Sequence, residues 1–295
     1  MTRSAVVINP SKVLDLDARR RELRDALAAA GWPEPLWLET TLEDPGSGMA
    51  EEAAAAGAEV VLVCGGDGTV RAVADVLAGS DVAVALIPSG TGNLLANDLG
   101  IPYDVAEAVA VAVGGGRRRI DVGVVEGAGA FTVMAGMGFD AAMVGETPDE
   151  AKRRFGWAAY AASGLRNLTR RRMAVRIRLD GGRWMHRRAG SVLVANVGRL
   201  RGGIRLLPDA EPGDGYLDIA VLSPSHLADW LRLAGGVLVW RSGDTHGLET
   251  FRARAVEVLA AREEPREIDG DVIPPDRRLA ARVRPGALIV CVPQV

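Results

Sequence analysis

The chain is poor in aromatic residues, cysteine and long apolar runs, and each scarcity excludes a class of protein. Aromatic residues make up 4% of the 295 residues, so aliphatic side chains must build the core. The two cysteines, Cys64 and Cys291, each lie in an apolar run, which favours small buried side chains in a reduced compartment over a disulfide framework. No apolar run reaches the roughly 18 residues of a transmembrane helix, and no charged-then-apolar leader precedes the strand-like segment 5–10. We therefore expect a cytoplasmic protein, with peripheral contact to the inner face of a membrane as an open alternative.

The chain also lacks an excess of charge of either sign. Its 35 basic and 38 acidic residues give a net charge of −3, and we therefore expect no nucleic-acid partner. An apolar content of 48% with 25% charged residues is typical of a folded protein with a sizeable core. The length favours two domains. Any attraction to an anionic ligand must be local.

Strand-like and helix-like segments alternate through the first part of the chain. Runs of β-branched residues predict strands, and apolar residues at helical spacing predict helices. The strands are residues 5–8, 36–39, 60–64 and 82–87, and the helices are residues 18–30, 49–56, 70–78, 94–99 and 105–113. This order is typical of an α/β domain with a parallel sheet and helices on both faces. We assign it to residues 1–120, with residues 284–295 as a candidate segment that completes it.

The pattern changes after the three glycines at 114–116. Short strand-like runs separated by glycine follow at residues 120–125, 131–135, 175–179, 191–196, 217–222, 255–259 and 288–292. Such spacing predicts an all-β sandwich or a partly closed barrel over residues 121–283. A helical insert at 150–172 mixes aromatic residues with arginine and lysine. This insert could lie on an anionic membrane surface or pack on the sandwich with a solvated basic face.

A glycine-rich loop, Gly65-Gly66-Asp67-Gly68-Thr69, joins a predicted strand to a predicted helix. Its glycines allow a ligand to approach the backbone closely, and the helix N–H groups attract anions, with Thr69 as a candidate cap. A carboxylate such as Asp67 repels a phosphate unless a divalent cation or a proton transfer intervenes. The loop therefore suggests Mg²⁺-dependent phosphoryl transfer. An ordinary turn between strand and helix is the alternative.

Two further loops follow predicted strands, at residues 9–12 and 88–93. Ligands of parallel α/β sheets bind outside the carboxyl ends of the strands. Because all three loops lie at that edge in the predicted sheet, they favour one shared binding site.

Motifs along nearly the whole chain resemble those of the diacylglycerol kinase catalytic-domain family, which includes soluble bacterial lipid kinases and the sphingosine and ceramide kinases. They are VVINP (6–10), VCGGDGTV (63–70), IPSGTGNLLA (87–96), LLPDAEPGDGYLDI (206–219) and IDGD (268–271). The resemblance implies an N-terminal domain like that of NAD kinases and phosphofructokinases, followed by a β-sandwich. It implies transfer of the γ-phosphoryl group of ATP, with Mg²⁺, to a hydroxyl of diacylglycerol or a related lipid, as in phospholipid biosynthesis.

The resemblance also implies roles for individual residues. The ATP-binding positions are Asn9, Thr41 (or the adjacent Thr40), Gly65, Gly66, Asp67, Gly68, Thr69, Gly90, Thr91, Gly92 and Asn93. Asp271 corresponds to the base that accepts the proton of the lipid hydroxyl, and Asp67 would orient Mg²⁺ through water. Glu211, Asp214 and the backbone carbonyl of Tyr216 correspond to a structural Mg²⁺ site. For Asp271 and for the 211–216 segment, a solvated turn is the alternative.

The chain departs from many bacterial members at Leu94, where those relatives have an aspartate that joins the water network around Mg²⁺. Asp98 lies one helical turn further on and could substitute for it. The form GTGNLLA is similar to that of sphingosine kinases, which leaves the lipid open. An NAD kinase-like enzyme and a non-catalytic lipid-binding protein are the other readings, and a homodimer is an open expectation.

Overall fold

The computed structural model describes residues 2–138, 172–198, 207, 209–223 and 247–294. The chain divides into two compact units, Met1–Val122 with Pro285–Val295, and Gly123–Arg284. The insert predicted at 150–172 lies outside the described residues, apart from residue 172. In the described ranges, no helix is long and apolar enough to cross a membrane.

The first unit alternates strands and helices, as its sequence pattern predicts. Its elements are β1 (Ser4–Ile8), a 3₁₀ turn (Pro10–Lys12), α1 (Leu16–Ala29), β2 (Leu36–Glu39), α2 (Ser47–Ala55), β3 (Val60–Gly65), α3 (Asp67–Leu77), β4 (Ala83–Pro88), α4 (Leu94–Asp98) and α5 (Val105–Gly114). All residues of β1, β3 and β4 are buried, because helices cover the sheet. Within the helical layers, α1 packs against α5 and α2 against α3.

The second unit is built from antiparallel strands. After β5 (Gly116–Val125), which begins in the first unit, come β6 (Gly129–Phe131), β7 (Met134–Gly138), β8 (Met173–Leu179), β9 (Met185–Ala189), β10 (Ser191–Ala195), β11 (Leu217–Leu222), β12 (Leu248–Ala253), β13 (Ala255–Ile268) and β14 (Asp271–Val292). The strand order is β12-β11-β10-β7-β13, and β13 also pairs with β8, which pairs with β9. Inward side chains such as Phe131, Ile177, Leu217 and Val258 form one apolar core.

The sheet of the first unit runs β14-β4-β3-β1-β2, and every pair in it is parallel. Val6 pairs with Trp37 on one side and with Leu62 on the other. The last residues of β14 lie beside β4, where Ile289 pairs with Ala83. The predicted fold class, an α/β domain followed by an all-β domain, is confirmed. Cys64 and Cys291 are buried and free, as predicted.

Candidate active site

The loops that follow β1, β3 and β4 meet at the carboxyl edge of the parallel sheet. The backbone N–H of Asn9 donates to the Cys64 carbonyl at 2.9 Å, and that of Ser89 donates to the Gly65 carbonyl at 3.0 Å. These bonds continue the strand ladder past its last paired residues, so the loops leave the sheet side by side. The structure therefore brings together the three loops that the sequence pattern assigned to one site.

Glycines let the second and third loops touch each other. A Cβ on Gly90 would lie 2.5 Å from the Cα of Gly66, and a Cβ on Gly65 would lie 2.7 Å from the Cβ of Thr69. Real Cβ atoms do not approach other heavy atoms so closely, and only glycine fits at these positions. The close contact brings the main chains of the two loops together, where backbone N–H groups can bind a phosphate.

Two helices begin at this edge, and Asp67 links them. α3 begins at Asp67 and α4 at Leu94. The Oδ1 of Asp67 accepts a hydrogen bond of 2.6 Å from the backbone N–H of Leu94, and a Cβ on Gly92 would lie 2.5 Å from Oδ2. α3 directs the positive end of its dipole toward this edge, which favours an anionic ligand.

The hydrogen bond between Asp67 and Leu94 concerns the position at which this chain lacks the aspartate of many bacterial relatives. Position 94 lacks a carboxylate, yet its main chain still contacts Asp67, since a backbone N–H does not depend on the side chain. Asp98 ends α4, and its suggested replacement of the missing aspartate stays a prediction.

Asn9 and Thr69 join the first two loops. The Nδ2 of Asn9 donates to the Oγ1 of Thr69 at 3.2 Å, and its Oδ1 accepts from the backbone N–H and hydroxyl of Ser11. Thr69 is buried inside the first turn of α3, whose N-cap is Gly66 without a side-chain capping bond. The expectation that Thr69 caps the helix is wrong, because the helix starts at Asp67, three residues earlier than its apolar spacing suggests.

Asn93 holds the third loop closed. Its Oδ1 accepts from the Gly90 N–H at 2.9 Å, and its Nδ2 donates to the Gly90 carbonyl at 2.8 Å. Asn93 is buried, and its backbone adopts the left-handed conformation at φ 47°, which asparagine tolerates better than most residues. Its amide therefore shapes the loop, while the exposed Thr91 is placed to meet a ligand.

Thr41 follows β2 and belongs to a turn closed by Asp44. The Oγ1 of Thr41 accepts from the Asp44 N–H at 3.0 Å. The carboxylate of Asp44 accepts from the N–H groups of Gly46, Ser47 and Gly48, and these hydrogen bonds hold the pKa of Asp44 below its usual value. Thr40 is buried, whereas Thr41 is exposed, so Thr41 is the better placed of the two to meet a ligand.

Arg19, in α1, is a basic side chain at this edge that the sequence reasoning missed. Its guanidinium donates to the hydroxyl of Ser89 at 3.4 Å and pairs with Glu22 at 3.2 Å. The nearby Cys64 is buried, which raises the pKa of its thiol and keeps it neutral. The sequence signal that could have revealed Arg19 is its position near the start of the helix that follows the first loop.

The predicted base, Asp271, belongs to the second unit. It is exposed and starts β14 immediately after a two-residue turn of Asp269 and Gly270, whose φ angles are 48° and 86°. Positive φ at both positions is typical of the tight turn that joins hairpin strands. Ile268 pairs with Asp271 across it.

Two buried carboxylates, Asp269 within this turn and Glu267 just before it, were not predicted to have a role. Asp269 accepts hydrogen bonds of 2.8–3.1 Å from the backbone N–H groups of residues 132–134 and from the hydroxyl of Thr132. Glu267 is also buried, and its Oε2 accepts from the Gly270 N–H at 2.7 Å. These bonds fix the turn to the body of the second unit and thereby fix the main chain on which Asp271 is carried.

In the segment predicted to bind a structural metal, Asp214 and Tyr216 make contacts within the protein. The carboxylate of Asp214 accepts from the Tyr216 N–H at 2.9 Å and pairs with Arg252, whose guanidinium also lies 4.8 Å from the Tyr216 ring centre. Glu211 is exposed. Burial raises the pKa of the neighbouring Asp218 to about 6, against the lowering effect of Arg252. The metal role of Glu211, Asp214 and Tyr216 stays a prediction.

The side chains of the described residues suit Mg²⁺ that is bound together with a nucleotide better than a metal ion held by protein ligands alone. None of them forms a cluster of three or more His, Cys, Asp or Glu side chains that could hold a metal ion. Mg²⁺ bound with nucleotide phosphates keeps several waters and needs one or two carboxylates. Asp67 supplies one carboxylate at the N-terminus of α3, so the edge can accept a phosphate chain with its cation.

Two different family models match the N-terminal and C-terminal parts of the chain. Residues 3–125 match the diacylglycerol kinase catalytic domain, and residues 132–292 match the YegS C-terminal NAD kinase beta sandwich-like domain. A Pseudomonas fluorescens protein named "probable lipid kinase YegS-like" is 33% identical over 292 residues, covering 95% of this chain and 92% of its own length. A Mycobacterium tuberculosis diacylglycerol kinase is 31% identical over 215 residues, covering 70% of this chain and 68% of its own length.

Solved structures share the fold. The crystal structure of a diacylglycerol kinase from Bacillus anthracis superposes with a TM-score of 0.76 at 22% identity, covering 98% of this chain and 96% of its own. An NAD kinase from Archaeoglobus fulgidus in complex with ATP superposes with a TM-score of 0.53 at 14% identity, covering 98% of this chain and 93% of its own. At these identities the likeness shows the fold alone.

Proposed function

Because the chain belongs to the lipid kinase family that joins a diacylglycerol kinase catalytic domain to a YegS-type β-sandwich domain, we propose that it is an ATP- and Mg²⁺-dependent lipid kinase. Its reaction would move the γ-phosphoryl group of ATP to a hydroxyl of diacylglycerol or a related lipid. The observation that carries this proposal is the joined pair of glycine loops, with Asp67 bonded to the start of α4.

The loops of the first unit support the nucleotide half of the reaction. Backbone N–H groups at the start of α3 would bind phosphate oxygens, and the close contact of Gly66 with Gly90 holds those N–H groups in place. Arg19 would add a positive charge beside the phosphates, with its guanidinium oriented by Ser89. Thr41 and Thr91 are exposed at this edge and would contact the rest of the nucleotide.

Asp67 would hold Mg²⁺ through water, while its bond to Leu94 keeps the carboxylate oriented. When bound, Mg²⁺ offsets the negative charge on the phosphates during transfer. Removing the cation should therefore stop transfer.

Asp271 would accept the proton of the lipid hydroxyl as it attacks the phosphoryl group. A lipid hydroxyl is a poor nucleophile until it loses its proton, so a carboxylate in this role accelerates transfer. The exposure of Asp271, combined with the buried anchors Asp269 within its turn and Glu267 just before it, supports a reactive group on a fixed main chain.

Substitution of Asp271 tests this assignment. Asp271→Asn should lower the transfer of label from radiolabelled ATP to diacylglycerol micelles by about a hundredfold or more, because the amide cannot accept the proton. ATP affinity, measured by titration calorimetry, should not change. Glu263→Gln is the matched control, since Glu263 is an exposed carboxylate on β13 of the same unit, and it should keep wild-type turnover. A wild-type rate for Asp271→Asn would remove this residue from the mechanism.

The same assay separates lipid from soluble acceptors. Relatives of the NAD kinase fold phosphorylate a dinucleotide, so NAD is supplied in a parallel reaction. The sequence matches favour the lipid acceptor, because the relatives that cover this chain are named lipid or diacylglycerol kinases. Label found only in NADP would overturn the proposal.

A further inference from the structure

A groove of about 690 Å³ on the second unit is lined by an excess of basic side chains. The basic residues of its lining are Arg176, His186, Arg187, Arg188 and Arg277, and we call this feature the basic groove. Among the described residues that line it, none is acidic. The whole chain has a net charge of −3, so this concentration of positive charge is local.

Strand pairing explains why these side chains gather on one face. Arg176 on β8 is exposed between the buried Val175 and Ile177, because side chains alternate along a strand. Its cross-strand partners are His186 on β9 and Leu259 on β13. Arg188 stands two residues from His186, opposite Ala174. The outer face of the neighbouring strands β8 and β9 therefore presents Arg176, His186 and Arg188 beside one another.

A second groove on the same unit has both acidic and basic residues in its lining, and positive charges there are neutralised by ion pairs. There, Glu257 accepts a hydrogen bond of 2.8 Å from Arg278 and pairs with Arg178. Arg278 also binds Glu126 at 2.7 Å. In the basic groove, Arg187 pairs with Glu249 at 2.8 Å. Carboxylates that could balance the other cations are absent from its described lining, so the groove stays positive.

The basic groove also has an apolar component and an aromatic neighbour. Leu259 and Ala260 line it together with Val175. The ring of Trp184 lies 5.3 Å from the guanidinium carbon of Arg176 and 4.6 Å from that of Arg178. Indole rings favour the boundary between lipid headgroups and acyl chains. The planar guanidinium group matches phosphate oxygens.

We propose that the basic groove docks the second unit on an anionic phospholipid surface, with Arg176, Arg188 and Arg277 binding the phosphate groups of lipid headgroups. Arginine, tryptophan and the apolar Leu259 beside Arg176 together match the chemistry of a membrane interface. A nucleic acid is less favoured, because the Trp184 ring is already engaged by two guanidinium groups instead of being open to a base. This site goes beyond the phosphoryl-transfer reaction, and it is independent of the surface expected at 150–172.

Vesicle binding in the absence of nucleotide tests the docking site separately from kinase activity. The full-length protein is sedimented with vesicles of phosphatidylcholine mixed with phosphatidylglycerol, and with vesicles of phosphatidylcholine alone. R176E/R188E should bind the anionic vesicles about tenfold or more weaker than wild type, since each basic residue near such a surface contributes about a factor of five. R21E/R282E is the matched control, because it changes the net charge equally at two other exposed arginines, and it should bind like the wild type.

Three results would overturn the proposal. They are unchanged binding of R176E/R188E, an equal loss in both double variants, and binding of a single-stranded RNA in preference to anionic vesicles. If R176E/R188E does not fold, as judged by circular dichroism, R188Q/R277Q replaces it with two neutral side chains. This second variant should also lose about tenfold or more in affinity for anionic vesicles, and wild-type affinity would contradict the site. If the wild-type protein binds anionic vesicles but phosphorylates no lipid, the proposed reaction is wrong while the docking site stands.

Discussion

Gly66 and Gly90 set how closely the two phosphate-binding loops approach. In Gly90→Ala, the new Cβ would lie 2.5 Å from the Cα of Gly66, so one backbone has to move. We expect the free energy of unfolding to fall by about 1–3 kcal/mol and the ATP affinity to fall by about tenfold or more. Urea denaturation and titration calorimetry measure the two effects.

Gly114→Ala is the control for this change. A Cβ at Gly114 meets nothing within 4 Å, and the residue ends α5. Both its stability and its ATP affinity should stay close to those of the wild type. Wild-type ATP affinity in Gly90→Ala would show that the loop contact does not shape the nucleotide site.

Asp269 and Asp271 lie two residues apart and should respond differently to substitution. Asp269→Ala leaves the buried N–H groups of residues 132–134 without their acceptor, and we expect a loss of about 3 kcal/mol or more in the free energy of unfolding. Asp271→Asn changes an exposed side chain, so its stability should stay within about 0.5 kcal/mol of wild type. Urea denaturation of both variants checks the contrast. Equal stability losses would contradict the division into an anchoring and a reactive carboxylate.

Sequence patterns located the loops but not the atoms that each polar residue binds. The glycine-rich motifs between a strand and a helix predicted the edge of the sheet at Gly65 and Gly90. Asn93 and Asp269 form their bonds within the protein, to backbone groups at residues 90 and 132–134. Such partners depend on tertiary packing of segments far apart in the chain, which a motif cannot show. Arg19 was missed for the same reason, since its partner Ser89 follows a different strand.

At the scale of elements, Asp44 stabilises the start of α2. Its carboxylate accepts three backbone N–H bonds of 2.7–2.9 Å. Asp44→Ala should lower the free energy of unfolding by about 1–2 kcal/mol at neutral pH. Thermal and urea denaturation of the variant measure the loss. Glu43→Ala, at the exposed neighbouring position, should have little effect.

The contribution of Asp44 should depend on pH. Hydrogen bonds from Gly46, Gly48 and Ser47 hold the pKa of the folded carboxyl below its usual value. The stabilisation is therefore complete above the unfolded pKa of about 4 and is lost as the pH falls through the lower folded pKa. The stability difference between wild type and Asp44→Ala should shrink as the pH falls below about 4. A constant difference down to the acid limit would contradict the role of the charge.

The helices and parallel strands of the first unit were predicted more closely than the long hairpin of the second. Residues 255–259 and 288–292 were predicted as strands, but β13 and β14 extend over Ala255–Ile268 and Asp271–Val292. The missed residues alternate poorly, because many are charged and exposed, and Pro274 and Pro275 interrupt the pattern. Backbone pairing, with a register shift near residue 264, holds this part of the hairpin together. Side-chain periodicity alone cannot reveal such strands.

At the scale of the whole molecule, the segment Pro285–Val295 belongs to the first unit although it is distant from it in sequence. Leu288 is fully buried there, close to the parallel pairing of Ile289 with Ala83. Leu288→Ala should lower the free energy of unfolding by about 2–5 kcal/mol. Hydrogen exchange should also quicken in β4, the strand that this segment adjoins.

Val272→Ala is the control at the other end of the same strand. Val272 is 55% exposed, so its truncation should change stability by about 0.5 kcal/mol or less. Unchanged exchange in β4 after Leu288→Ala would show that the last segment does not support the nucleotide-binding sheet.

A screen of products decides whether this chain phosphorylates a lipid hydroxyl. The wild-type protein is incubated with ATP, Mg²⁺, a bacterial lipid extract and NAD, and the products are identified by mass spectrometry. We predict that a diacylglycerol-class lipid gains one phosphoryl group in the wild-type reaction and not in that of Asp271→Asn. Conversion of NAD to NADP with no phosphorylated lipid, or no phosphorylated product at all, would show that this chain is not a lipid kinase.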